Sequence, residues 1–233
     1  MITKILPIVL LVSIFYIGSI YSSRNLSKKL EKKSQIFHDP VIDNYLKSFQ
    51  SILDLHNLKV FVLNEKQING LVTPNGNIYI TQGFINQYKL GKVSGVELTS
   101  VIAHELGHLA LGHTKKRLIT FSAISAISMV ISTILSRLIP YLGSILGRYL
   151  SQVLISGLSR KDEFEADSYA AALLIKSGIG TAPQISLLRK LEPLTGIVSS
   201  NITWTHSHPS PKQRIKAIQR LETSWITKIK DQN

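Results

Sequence analysis

The stretch His104-Glu-Leu-Gly-His108, an HExxH motif inside an apolar segment, constrains this 233-residue chain more than any other. On an α-helix, residues four apart share a face, so His104 and His108 project side by side. Two imidazoles in this arrangement suit one Zn²⁺ ion, and Glu105 lies where it can act as a general base on a water molecule. Histidines and a carboxylate are costly to bury among apolar neighbours unless they bind something. The motif predicts one zinc ion per chain, against the alternative of a chance match on an ordinary helix.

A catalytic zinc ion needs a third protein ligand, and His113 is the nearest candidate. It follows His108 by five residues, whereas the metzincin pattern requires six. We therefore interpret His113 as a cation at the C-terminal end of the helix, beside Gly112.

A later acidic helix offers a carboxylate instead. Glu163 is predicted to be the third ligand. Asp167, four residues further on, is predicted to hydrogen-bond the outer nitrogen of a zinc histidine. Glu165 is expected to point to solvent. The competing interpretation is that these acids only form the charged first turn of a helix.

Three further motifs accompany HExxH in the chain: SRxxExxAD from Ser159 to Asp167, a segment over 69–83 that contains Asn75-Gly76, and HPxxxxRI from His208 to Ile215. Together, and in this order, the motifs resemble the gluzincin metallopeptidases of family M48, which include HtpX, Oma-type and CAAX prenyl proteases. The resemblance spans about residues 40–220. The sequence departs from the family pattern at Gly70, Leu71 and Asn75. These departures bear on substrate preference more than on the metal-dependent reaction.

The resemblance implies an α+β, mainly helical, zincin-like fold with a small β-sheet beside the HExxH helix. It also implies a zinc-dependent endopeptidase that cleaves protein substrates at or near a membrane, in protein quality control. Glu105 would be the catalytic base. His208, at the family's His-Pro position, would act at the catalytic centre, unless it is only a loop histidine that anchors the chain.

Two other functions are compatible with parts of the sequence. The first is a non-cleaving zinc-binding chaperone or adaptor of envelope proteins, although such a protein has no need of Glu105. The second is a basic membrane-surface protein in which HExxH occurs by chance.

The order of segments predicts four regions. Residues 1–22 are a signal peptide or an N-terminal membrane anchor, and residues 23–39 are a basic linker. Residues 40–225 form the protease domain, and residues 226–233 are a tail.

Net charge and composition narrow the partners. A net charge of +13 suits a membrane surface, and since no nucleic-acid motif accompanies it, we predict no nucleic-acid partner. Without cysteine, the chain has neither disulfides nor a thiolate zinc site. We expect a membrane-associated protein on the envelope side, while the positive residues after the leader would favour a cytoplasmic body.

An apolar stretch over residues 118–158 separates the two metal motifs. Serines recur along its first half at three- and four-residue spacing, which gives one polar face. It could form a membrane hairpin, an amphipathic pair, or helices that cover a soluble active site. We favour a pair packed on the domain or lying on a bilayer.

Short β-branched and aromatic runs predict strands over 59–63 and 77–81, with a turn at Asn75-Gly76. A strand beside the metal helix of a zinc protease commonly pairs with an extended substrate. We therefore assign substrate binding to Asn77, Ile78, Tyr79 and Ile80. The alternative is an internal strand with no open edge.

Overall fold

The computed structural model describes residues 2–56, 58–73, 75–138, 142–195 and 209–230. Its helices are α1 (Ile2–Lys32), α2 (Pro40–Leu53), α3 (Gln82–Lys89), α4 (Gly95–Ala110), α5 (His113–Leu138), α6 (Leu142–Lys176), α7 (Ala182–Thr195) and α8 (Pro211–Lys230). Its strands are β1 (Ser34–Ile36), β2 (Val60–Leu63), β3 (Gly70–Val72) and β4 (Ile78–Thr81). The predicted α+β, mainly helical architecture with a small sheet is confirmed.

The sheet has the strand order β1-β2-β4-β3. β2 and β4 are parallel, and each outer strand is antiparallel to its neighbour. Tyr79 in β4 pairs with Phe61 on one side and with Leu71 on the other. β4 is therefore an interior strand, flanked on both sides by hydrogen-bonded neighbours.

This topology corrects the assignment of substrate binding to Asn77, Ile78, Tyr79 and Ile80. Both edges of β4 are already used, and the Asn77 carbonyl accepts a hydrogen bond from the Thr73 amide. The outer strand on this side of the described sheet is β3, which also contacts α4. The sequence did not reveal β3 because three residues that begin with glycine are too short for a periodic pattern.

The helix with the HExxH motif, α4, lies at the centre of the domain. It contacts α2, α6, α7, β3 and β4. Ile42 and Phe49 of α2, Leu98 and Ile102 of α4, and Leu174 of α6 are fully buried in one shared core. Each such side chain contributes roughly 1.5–3 kcal/mol of burial free energy. This core supports α4 on the side away from the histidines.

Helices α4 and α6 approach each other closely at Gly107. A Cβ atom added at Gly107 would lie 2.9 Å from the Ala166 carbonyl oxygen and 3.1 Å from the Ala166 Cα. Only glycine fits here, because the obstructing atoms belong to backbone. The contact determines how near the acidic residues of α6 come to the histidines of α4.

The N-terminal leader continues into the segment predicted to be a basic linker. A single helix, α1, runs from Ile2 to Lys32, and β1 follows as an outer strand of the sheet. The basic residues of 23–39 therefore lie largely on regular secondary structure. α1 packs against α5, and the Ser19 and Ser122 hydroxyl oxygens are 3.1 Å apart across this contact.

The apolar stretch over 118–158 lies in α5 and in the first half of α6, and these two helices pack against each other. α5 leaves large apolar side chains exposed, including Phe121 (51% exposed) and Ile127 (52%). Among the described residues, one helical segment, His113–Ile134, is long and apolar enough to cross a membrane. Only 17% of its most apolar window is buried.

Candidate metal centre

Local sequence places the three motif residues on α4. Ser94 and Glu97 form a capping box that begins the helix: the Ser94 hydroxyl accepts from the Glu97 amide, and the Glu97 carboxylate accepts from the Ser94 amide. The helix ends at Ala110, and Gly112, with φ 65°, turns the chain so that α5 begins at His113.

His104, His108 and Glu163 bring their ligand-type atoms together. The two histidine Nε2 atoms are 3.1 Å apart. The Glu163 carboxylate oxygens lie 3.4 Å from His104 Nε2 and 3.3 Å from His108 Nε2. Tetrahedral zinc with bonds of about 2.0–2.2 Å keeps its ligand atoms roughly 3.3–3.6 Å apart. The three side chains therefore suit a zinc ion with one position left open.

Electrostatics also favours a cation between these groups. Burial opposes protonation of His104, but the Asp167 and Glu163 carboxylates outweigh it and raise its pKa to about 9. In the absence of a metal ion, a proton on His104 therefore relieves the repulsion among the converging acceptor atoms. Zinc would replace that proton with a divalent charge.

The structure places Asp167 beside the outer nitrogen of His104. Its Oδ1 is 3.0 Å from His104 Nδ1, and Arg214 of α8 binds both carboxylate oxygens at 2.7 Å. Burial alone would raise the pKa of Asp167, but the Arg214 guanidinium holds it well below its usual range. A permanently ionised Asp167 keeps the His104 proton on Nδ1, which frees Nε2 for a metal ion. The pairing with Arg214 brings α8 to the site.

Two sequence interpretations near the site are wrong. His113 is not a cation at the end of the HExxH helix: it begins α5, is 1% exposed, and its Nδ1 lies 2.9 Å from His108 Nδ1. Glu165 does not simply point to solvent, because its Oε2 lies 3.1 Å from His113 Nε2. His113 reaches His108 because the chain turns at Gly112, which has φ 65°, before α5 begins.

Glu105 is buried beside the metal ligands, at one wall of a cleft of about 300 Å³. Burial raises its pKa to about 7, against the opposing charge of His104. A carboxylate with a pKa near neutrality is well matched to accept and return a proton. The strand β3 lies against it, since a Cβ at Gly70 would be 3.1 Å from Glu105 Oε1.

Arg117 of α5 is a further charged group at the cleft that the sequence did not indicate. Its Nε donates to Asp162 at 3.0 Å, and one terminal nitrogen lies 3.4 Å from Glu163 Oε1. Lys116 also donates to Asp162, at 3.1 Å. These contacts join the start of α5 to the acidic segment of α6. The remaining predicted residue, His208, lies outside the described residues.

A helix with HExxH, a glutamate from a second helix beside both histidines and a small sheet at one side define a zincin-type metal centre. The sequence model of the family described as Peptidase family M48 matches residues 40–222. The chain belongs to this family, which confirms the resemblance drawn from its motifs.

Individual proteins of known name are also similar to the chain in sequence. The chain is 28% identical over 163 residues to Metalloprotease LoiP of Escherichia coli, covering 70% of this chain and 61% of LoiP. It is 26% identical over 197 residues to Mitochondrial metalloendopeptidase OMA1 of Arabidopsis thaliana, covering 82% of this chain and 38% of OMA1. A Protease HtpX homolog of Listeria monocytogenes is 25% identical over 219 residues, covering 91% of this chain and 66% of that protein. The chain thus spans less than two thirds of the length of LoiP and OMA1.

Among solved structures, the crystal structure of S. mikatae Ste24p is similar in fold. The superposition has a TM-score of 0.56 at 20% sequence identity. It covers 80% of this chain and 51% of Ste24p. The zincin-like fold predicted from the motifs is thereby confirmed.

Proposed function

We propose that the chain is a zinc-dependent endopeptidase that cleaves proteins at or near a membrane. The observation that carries this proposal is the convergence of His104, His108 and Glu163 within 4.8 Å, with buried Glu105 beside them. The names of the relatives, LoiP, OMA1 and HtpX homolog, describe proteases and so support a hydrolytic function.

His104, His108 and Glu163 would hold one zinc ion per chain. When bound, zinc would act as a Lewis acid toward the scissile carbonyl and lower the pKa of water. Glu105 would take a proton from the attacking water and return it to the leaving amine. Asp167, held by Arg214, would keep His104 oriented throughout.

The outer edge of β3 is the best candidate to bind substrate backbone. Gly70, Leu71 and Val72 line the same cleft as His104 and Glu105. β3 is hydrogen-bonded to β4 on one side only within the described sheet. An extended peptide added to this edge would place its backbone beside Glu105, and the main-chain hydrogen bonds would tolerate varied sequences.

Membrane attachment is supported by α1 and α5. Their contact leaves apolar side chains exposed on both helices, and the segment His113–Ile134 has the composition of a membrane span. We propose that the end of this helical group remote from the metal centre lies in or on a bilayer. The envelope side, the signal or anchor role of residues 1–22 and the function in quality control remain predictions.

The proposal is tested by zinc content and cleavage of an unfolded protein substrate, measured on the full chain and on Glu105→Gln. Glutamine keeps the shape of the side chain but cannot accept a proton. We therefore expect one zinc ion in both proteins and a loss of roughly 10²–10⁴-fold in cleavage rate in the variant.

Other results would change the assignment. Equal cleavage by both proteins would refute the role of Glu105. Zinc in both proteins without cleavage in either would favour the non-cleaving chaperone or adaptor. Absence of zinc from the wild type would refute the metal centre itself.

A further inference from the structure

His113 is a buried histidine in contact with the metal site but outside the proposed ligand set. It is the first residue of α5, and its ring meets that of His108 edge-on, with centroids 5.1 Å apart. Its two nitrogens have separate partners: Nδ1 lies 2.9 Å from His108 Nδ1, and Nε2 lies 3.1 Å from Glu165 Oε2.

The chemistry of the imidazole rings determines which nitrogen carries the proton in His108 and in His113. His108 faces Glu163 and His104 with Nε2, so a metal ligand at this atom must be unprotonated there. The neutral ring of His108 then carries its proton on Nδ1, which can donate to His113 Nδ1 only if that atom has a free lone pair. His113 in turn carries its proton on Nε2 and donates it to Glu165. All three groups are satisfied with the protons pointing one way.

A second metal site in this position is disfavoured by its neighbours. His113, Asp162 and Glu165 do place ligand-type atoms within 4.8 Å of one another. However, Asp162 already accepts from Lys116 at 3.1 Å and from Arg117 at 3.0 Å. A cation here would adjoin two positive side chains, which disfavours its binding.

We propose that His113 is a positioning residue for the metal centre. It accepts the His108 Nδ1 proton and, supported by Glu165, holds His108 in the tautomer that presents its Nε2 lone pair to zinc. This inference rests on the proposed zinc site. The two zinc histidines then have different supports: an ion pair of Asp167 and Arg214 behind His104, and a neutral histidine behind His108.

The test is the zinc affinity of the full chain in detergent, measured by competition with a chelator at fixed pH. His113→Phe fills the site but accepts no proton, and we expect its zinc affinity to fall by about 10–100-fold. His113→Asn places an oxygen near the position of the lost Nδ1 and should restore much of the affinity. His113→Gln, which places its amide near the lost Nε2, is the matched control and should restore less.

Glu165→Gln provides a milder test that does not alter the buried ring. Its amide oxygen can still accept from His113, and the side chain is 40% exposed, so water can also substitute. We expect a loss of affinity well below that of His113→Phe. In the zinc-loaded wild type, ¹⁵N NMR should show the His108 proton on Nδ1.

Several outcomes would overturn the proposal. Wild-type affinity in His113→Phe would do so, and so would equal losses in the Phe and Asn variants, because packing alone would then explain the effect. Two zinc ions per wild-type chain and one in His113→Phe would indicate a second metal site instead. Zinc binding without cleavage would leave His113 in its role while the protease proposal failed, whereas absence of zinc from the wild type would refute both.

Discussion

At the candidate metal centre, the Asp167 side chain of α6 determines which nitrogen of His104 carries a proton. Asp167 is almost fully buried, and Arg214 occupies both of its oxygens. An ion pair in this position is costly to break, because the remaining charge is left without a partner in a low-dielectric site.

Removing the carboxylate should weaken zinc binding even though the three ligands remain. We expect Asp167→Ala to lower zinc affinity by roughly 10–100-fold, because His104 loses the acceptor of its Nδ1 proton. Arg214 would also lose both of its 2.7 Å contacts to carboxylate oxygens and keep only the longer one, to Glu163, at 3.8 Å. Chelator competition measures the loss.

Asp167→Asn is the matched control for this change. Its oxygen can still accept from His104, but it no longer neutralises Arg214, so its affinity should lie between those of the wild type and the Ala variant. An unchanged affinity in Asp167→Ala would exclude Asp167 from this role.

At this scale the sequence could single out the candidate ligand residues, because HExxH and the Glu163–Asp167 spacing are properties of single helices. It failed for His113, because the contacts of this residue with His108 and Glu165 depend on the turn between α4 and α5 and not on spacing within one helix. One backbone angle separates the two outcomes: with Gly112 at φ 65°, the chain turns and His113 points back at His108. The sequence shows a glycine there, but not which way the next helix turns.

At the scale of elements, the approach of α4 to α6 sets the distance between the histidines and Glu163. Gly107→Ala should force these helices apart, since the added Cβ would meet backbone atoms of Ala166. We expect the free energy of unfolding to fall by about 1–3 kcal/mol, together with a loss of zinc affinity. Denaturant unfolding and chelator competition measure the two effects.

Gly18→Ala serves as the control for that substitution. Gly18 also lies inside a helix, but a Cβ there would meet nothing within 4 Å. Alanine should therefore leave zinc affinity unchanged and stabilise the helix by up to about 1 kcal/mol. Equal behaviour of the two variants would show that the α4–α6 contact is not tightly packed.

Among the elements, the apolar segment around HExxH predicted the helix α4, and β-branched runs predicted β2 and β4. The order of the strands in the sheet could not be predicted, because it depends on contacts between segments that are distant in sequence. The sequence therefore left open whether β4 has a free edge, and the structure places it between β2 and β3.

At the scale of the whole molecule, the exposed apolar side chains of α5 predict membrane binding. Replacing Phe121 and Ile127 by Gln should shift the protein from the vesicle-bound to the free fraction in flotation with anionic vesicles, because both side chains are about half exposed. The metal centre should keep its zinc affinity.

The matched control replaces Leu90 and Ile175, which are exposed on other parts of the domain. These two substitutions remove similar apolar area but should leave flotation unchanged. Equal release by both pairs would mean that general hydrophobicity, rather than the surface of α5, holds the protein at the membrane.

The sequence indicated an apolar leader and an apolar insertion but not that they join. α1 packs along α5 over a contact between residues about 100 apart, represented by Ser19 and Ser122. Apolar composition alone cannot tell a helix that crosses a membrane from one that covers a neighbour. The backbone has no break between the predicted leader and the predicted basic linker, since α1 continues to Lys32.

The length of α6 has a mechanical consequence. Its 35 residues make a rod of about 52 Å, and the close backbone contact of Ala166 with Gly107 would be the fulcrum for any tilt of this rod. Leu142, at the apolar end, is about 36 Å from this fulcrum, whereas Glu163 is about 4.5 Å away on the same side. The lever arms differ by about eight to one, so a swing of 8 Å at the far end displaces the ligand by only about 1 Å. Thermal undulation of a bilayer at the far end would therefore reach Glu163 strongly attenuated.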